Sequence, residues 1–85
     1  MAVHRGRRIA LTPIEFSVLK VLIDAAGRPV EVDELLKRAW HQDATGRADK
    51  VRIVIARLRR RLGDPRLIET IAGEGYRAAS VQELA

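Results

Sequence analysis

Residues 47–62 read RADKVRIVIARLRRRL. Val51, Val54, Ile55, Leu58 and Leu62 fall at i, i+3, i+4, i+7 and i+11, the spacing of one face of an α-helix. With Val51, Ile55, Leu58 and Leu62 turned inward and a rotation of about 100° per residue, the outward side centres on Asp49, Ile53, Ala56 and Arg60. Arg52 and Arg57 flank that line, while Lys50, Arg59 and Arg61 lie nearer the body of the protein. A face that meets only water favours Glu or Lys over Ile and Ala, so this one is composed for contact. The whole chain of 85 residues holds 16 Lys and Arg against 11 Asp and Glu, a net charge of +5. Seven of those cations and one anion lie within residues 47–61, which therefore carry +6, and the other seventy residues net −1. A basic helix is mounted on a nearly neutral body.

C-terminal to this helix, Gly63-Asp64-Pro65 is a strong stop. Leu67-Ile68-Glu69-Thr70-Ile71, Ala72-Gly73-Glu74-Gly75 and Tyr76-Arg77-Ala78-Ala79 then read as strand, glycine turn and strand. N-terminal to it, residues 41–46 (HQDATG) are polar and aperiodic, which predicts a loop. Leu35, Leu36, Ala39 and Trp40 give a second, shorter helix over 32–40, approached through Arg28-Pro29, which favours extended backbone. Thr12-Pro13-Ile14-Glu15 combines a capping threonine, proline at the first helical position and glutamate at the third. From there Phe16, Leu19, Leu22, Ile23 and Ala26 predict one apolar stripe on a helix over 13–26, closed by Gly27 in a left-handed turn. Val3 and Ile9-Ala10-Leu11 around Arg5-Gly6-Arg7 are compatible with another short hairpin.

The plan is α+β: one small domain over 1–85, with a strand region at 1–11, a three-helix core at 12–62, a β-hairpin at 66–79 and a tail at 80–85. Phe16, Leu19, Leu22, Leu35, Trp40, Ile55 and Leu58 are its expected core. With no cysteine and only His4 and His41 as soft ligands, the sequence offers no metal set and no cofactor motif. No apolar run approaches the roughly 20 residues needed to cross a bilayer, which reads as a soluble, intracellular protein without a membrane partner. The carboxylates fall mostly on helix exteriors and turns, and no His or Cys is spaced to form a nucleophile and base, so the chain does not read as an enzyme. Gly73-Glu74-Gly75 lacks the context and the lysine of a phosphate loop.

A localised basic face suits a polyphosphate, because phosphate neutralisation releases counterions. In a major groove, Ile53 and Ala56 would meet thymine methyls while flanking arginines reach guanine edges or phosphates. A basic binder of nucleic acid without sequence preference remains a second reading of the same charges.

Taken in order, LTPIEFSVLKVL at 11–22, the 27–40 segment ending in LLKRAW, RLRRRL at 57–62 and IETIAGEGYR at 68–77 resemble the C-terminal effector domain of OmpR/PhoB-type response regulators. The resemblance covers about sixty-five of the 85 residues. It implies a winged helix-turn-helix, a transcriptional regulator of a two-component phosphorelay, and a cytoplasmic, nucleoid-associated location. The third helix would enter the major groove of double-stranded DNA with Arg47, Lys50, Arg52, Ile53, Ala56, Arg57 and Arg60. The hairpin would be the wing. Homodimers would form on direct-repeat half-sites, and the 41–47 loop would face RNA polymerase.

Departures from the family pattern sharpen the expectation. Ala72 replaces the arginine that many members insert into the minor groove, and Glu74 stands beside it, which leaves Thr70, Tyr76 and Arg77 as backbone contacts of the wing. Asp49 and Arg52 exchange the signs common at those two places, so base preference should differ. Glu31 takes the usual place of a capping serine or threonine. One of Arg59 and Arg61 is expected to pair with Glu69 or Asp64. The four-stranded N-terminal sheet of the family cannot fit in eleven residues, so at most a truncated hairpin survives. The chain is either the effector part of a two-component regulator or a free-standing winged helix. The alternative is a winged-helix protein interaction module that has lost specific DNA binding.

Overall fold

Thr12 opens the first long helix, α1 (Pro13–Asp24), through a reciprocal cap. Its Oγ1 accepts from the Glu15 N–H at 3.3 Å, and Glu15 Oε1 accepts from the Thr12 N–H at 2.9 Å. The structure is a computed structural model that describes residues 2–4, 7–40 and 48–79. α1 stops two residues earlier than its apolar spacing predicts, because Ala26 already adopts a left-handed φ of 53°, followed by Gly27 at 89°. Ala26 donates to the Ile23 carbonyl at 2.9 Å and Arg28 to that of Ala25 at 3.1 Å, which closes the helix end. The buried face of α1 is Glu15, Val18, Leu19, Val21 and Leu22, and Ala26 is exposed. Phe16, expected in the core, is 42% exposed, since the helix face that meets the core begins at the capped Glu15 and leaves Phe16 on the far side.

The second helix begins as α2 (Val32–Leu35) and widens into a π turn at Leu36–Trp40, matching the expected span. Glu31 occupies its N-cap without a side-chain hydrogen bond, as the sequence predicts. Leu35, Leu36 and Ala39 are buried, and Trp40 packs half-buried against the core. The third helix, α3 (Ala48–Leu62), buries Val51, Val54, Ile55, Leu58 and Leu62. Gly63, at φ 76°, ends it. A 3-10 turn at Pro65–Leu67 follows, capped where Asp64 accepts from the Arg66 N–H at 3.0 Å. Leu67, expected in a strand, belongs to this turn.

Two antiparallel hairpins complete the fold. β1 (Ala2–His4) pairs with β2 (Arg7–Ile9), so the short N-terminal hairpin is present. β3 (Ile68–Ile71) pairs with β4 (Gly75–Ala78) in the register Ile68↔Ala78, Glu69↔Arg77, Thr70↔Tyr76 and Ile71↔Gly75. Gly75, expected in the turn, is the first residue of β4, and Ala79 lies just beyond it, though its N–H still donates to the Leu67 carbonyl at 2.8 Å. The extended backbone after Pro29 forms a rung that the sequence did not reveal. Val30 donates to the Tyr76 carbonyl at 2.7 Å and Tyr76 to that of Val30 at 3.0 Å. This approach requires glycine next door, because a Cβ on Gly75 would stand 2.0 Å from the Val30 oxygen. Ile9, Val30, Leu67, Ile68 and Ala78 join the three helices in one core.

Candidate nucleic-acid interface

Helical rotation sorts the α3 side chains as the sequence predicts. Asp49, Arg52, Ile53, Ala56, Arg57 and Arg60 are exposed, and Lys50 and Arg59 are half-buried at the edges. Ile53 is 52% exposed, a large apolar side chain left uncovered among cations. Among the described residues, Lys50, Arg52, Arg57 and Arg60 are in no ion pair. Arg57, Arg60 and Arg61 line one shallow concavity. Lys50, Arg52, Ile53, Ala56, Arg57 and Arg60 thus share one helix, whereas Arg47 and the 41–47 loop lie outside the described residues.

The wing residues are more committed. Thr70 is exposed on β3, where its hydroxyl accepts from Arg59 Nη2 at 2.8 Å. Tyr76 is half-buried on β4 against the core. Arg77 Nη2 lies 2.7 Å from Glu69 Oε2 across the hairpin, and Arg77 Nε is buried without a hydrogen-bond partner. Around the wing turn the surface is acidic: Glu31 and Asp33 from the start of α2 share a groove with Ala72, Gly73 and Glu74.

Arg59 and Arg61 do not take the partners expected of them. Arg59 donates through Nε at 3.1 Å and Nη2 at 2.9 Å to the Ile68 carbonyl, while Glu69 pairs with Arg77 and Asp64 with Arg66. Arg61 Nε reaches Glu15 Oε1 at 2.8 Å. Glu15 is only 1% exposed, the exception among the described carboxylates, which otherwise lie exposed or half-buried as expected. Burial opposes ionisation of Glu15 and raises its pKa. The Thr12 backbone N–H and the Arg61 guanidinium outweigh that and hold it below the usual carboxylate value. Glu34 is likewise held low, first by the hydrogen bond from Arg28 and then by that from Arg38. The capping motif signalled the Thr12 bond of Glu15, but nothing local signalled Arg61.

Residues 6–78 match the family described as "Transcriptional regulatory protein, C terminal". The chain belongs to this family, whose members are DNA-binding domains of OmpR/PhoB-type regulators rather than enzymes. It is 40% identical over 72 residues to the transcriptional regulatory protein CutR of Streptomyces coelicolor, covering 85% of this chain and 33% of that one. It is 38% identical over 80 residues to the KDP operon transcriptional regulatory protein KdpE of Escherichia coli, covering 88% and 36% respectively. The chain therefore spans about a third of the length of these curated relatives. Among solved structures, the Klebsiella pneumoniae RstA DNA-binding domain in complex with the RstA box superposes with a TM-score of 0.80 at 31% identity, covering 92% of this chain and 82% of that one. The DNA-binding domain of Bacillus subtilis CssR gives 0.75 at 34% identity, covering 91% and 89%. The winged helix-turn-helix is thus the fold, three helices followed by the β3–β4 hairpin. No helix among the described residues is long and apolar enough to cross a membrane.

Proposed function

We propose that the domain binds double-stranded DNA sequence-specifically, as the output module of a two-component transcriptional regulator. The observation that carries this reading is the outward face of α3, where exposed Ile53 and Ala56 stand among four cations that have no carboxylate partner among the described residues. A fold that needed those cations internally would have paired them. In a major groove, Arg57, Arg60, Arg52, Lys50 and Arg47 divide between base edges and phosphates, and Ile53 and Ala56 supply apolar contact. Thr70, Tyr76 and Arg77 contact the backbone from the wing. One domain this small spans about one helical turn or less, so two copies on direct repeats about 10 base pairs apart give useful affinity. The 41–47 loop is the surface offered to RNA polymerase, and the site of action is the bacterial nucleoid in the cytoplasm.

Selection of duplexes from a random pool tests this, with the winner titrated against a scrambled sequence at two salt concentrations. A repeated half-site and a preference of about a hundredfold or more are expected. Equal, steeply salt-dependent binding of both duplexes would reduce the domain to a non-specific binder. Absence of binding at moderate salt would favour the interaction-module reading.

A further inference from the structure

Strand register decides which backbone groups of the wing lack a strand partner. In an antiparallel pair, alternate residues turn their N–H and C=O away from the facing strand. The bond from Ala79 to Leu67 makes the next pair, Ile68↔Ala78, one whose polar groups face outward, and the same alternation reaches Thr70↔Tyr76. On β4 the outward groups of Tyr76 are taken by Val30. On β3 the outward carbonyl of Ile68 receives both Nε and Nη2 of Arg59, and the same Nη2 reaches Thr70 Oγ1. A side chain from the last turn of α3 therefore closes the open edge of the wing, and it commits its fork to the backbone rather than leaving it for DNA.

We propose that Arg59 is a positioning residue for DNA recognition, fixing the angle and register of the wing relative to the recognition helix. This rests on the DNA-binding reading above. The geometry needs a planar fork, which lysine lacks although it keeps the charge. Arg59 thus acts through Thr70 and the β3 backbone, and its contribution is to discrimination more than to bulk attraction.

Arg59→Lys and Arg59→Gln test the proposal by two readouts: amide hydrogen exchange in the free protein, and affinity for the selected and scrambled duplexes at two salt concentrations. Both variants should speed exchange of the β3–β4 amides about tenfold while α1 and α3 amides keep their protection. Both should bind the selected duplex roughly tenfold more weakly, with little change for the scrambled one. Arg59→Lys binding like the parent protein, with Arg59→Gln losing affinity equally on both duplexes and about one unit of salt slope, would identify a phosphate contact and overturn the proposal. Unchanged wing exchange in both variants would overturn it as well, as would uniformly faster exchange with proportionate loss of folded protein. If the unaltered protein shows no duplex preference, the functional reading itself fails and the positioning role goes with it, whatever the exchange data show.

Discussion

Glu15→Gln isolates the charge of the one buried carboxylate described in the core. Glutamine retains the shape and an oxygen that can accept from the Thr12 N–H, now 2.9 Å away. It turns the ion pair between that same oxygen and Arg61 Nε, at 2.8 Å, into a bond to a neutral acceptor and places an amide nitrogen where Glu15 Oε2 is buried without a hydrogen-bond partner. A hydrogen bond to a charged group contributes about 1.5 to 3 kcal/mol, and Arg61 is 45% exposed, so solvent returns part of that. The expected net loss near neutral pH is about 1 to 2 kcal/mol, read as a lowered urea midpoint at constant slope. The pH dependence supplies the sharper test. The folded pKa of Glu15 lies below its unfolded value, so its contribution is complete above the unfolded value of about 4.3 and is lost as pH falls through the folded pKa. The gap between the parent protein and Glu15→Gln should therefore be constant from about pH 7 to 5 and close below about 4. Glu34 titrates in both proteins and cancels in the difference. A gap that stays constant down to pH 3, or a variant as stable as the parent at pH 7, would refute this account.

Arg57→Ala should weaken the selected duplex by about 1 to 3 kcal/mol and leave the scrambled one nearly unchanged; equal losses on both in a binding titration would mark a phosphate contact instead. Ala72→Arg places a cation on the exposed wing turn beside Glu74, so DNA affinity should rise at low salt and the salt slope should steepen by about one unit, as measured by anisotropy titration. Gly75→Ala combines a φ of 108° with a Cβ 2.0 Å from the Val30 oxygen; it should cost more than about 1 kcal/mol in denaturant unfolding and speed exchange of the Val30 and Tyr76 amides.

Local grammar made most of the fold legible. Thr12 and Glu15 cap each other across one helical turn, Gly63-Asp64-Pro65 stops α3, and the five buried positions of α3 lie at helical spacing, so each could be read from a short window. Reading failed where the deciding partner lay elsewhere. The apolar spacing places Phe16 in the core, but α1 turns the capped Glu15 inward, where Arg61, far along the chain, meets its carboxylate, and Phe16 is left on the far side. The Val30 rung depends on Gly75 for the same reason, since neither residue signals the other. The outward face of α3 was legible because burial on one side of a helix fixes exposure on the other. The wing contacts were less so, since Thr70 and Arg77 already hold Arg59 and Glu69.

The charge count of residues 47–61 overstates what the helix can offer to a phosphate backbone. Of its seven cations, Arg59 is spent on the Ile68 carbonyl and Thr70, and Arg61 on Glu15. Helical rotation forces that division, because Arg59 and Arg61 fall toward the wing and α1 while Arg57 and Arg60 face outward. Lys50, Arg52, Arg57 and Arg60 remain, with Arg47 the one further candidate. Each phosphate neutralised on duplex DNA contributes about 0.9 to the slope of log affinity against log salt, so a single domain should show a slope of about −4 rather than the −6 or so that seven contacts would give. A titration of one domain on a single half-site across several salt concentrations measures it. A slope near −6 would mean that Arg59 and Arg61 release their internal partners on binding, and the bracing assigned to them would belong to the free protein alone.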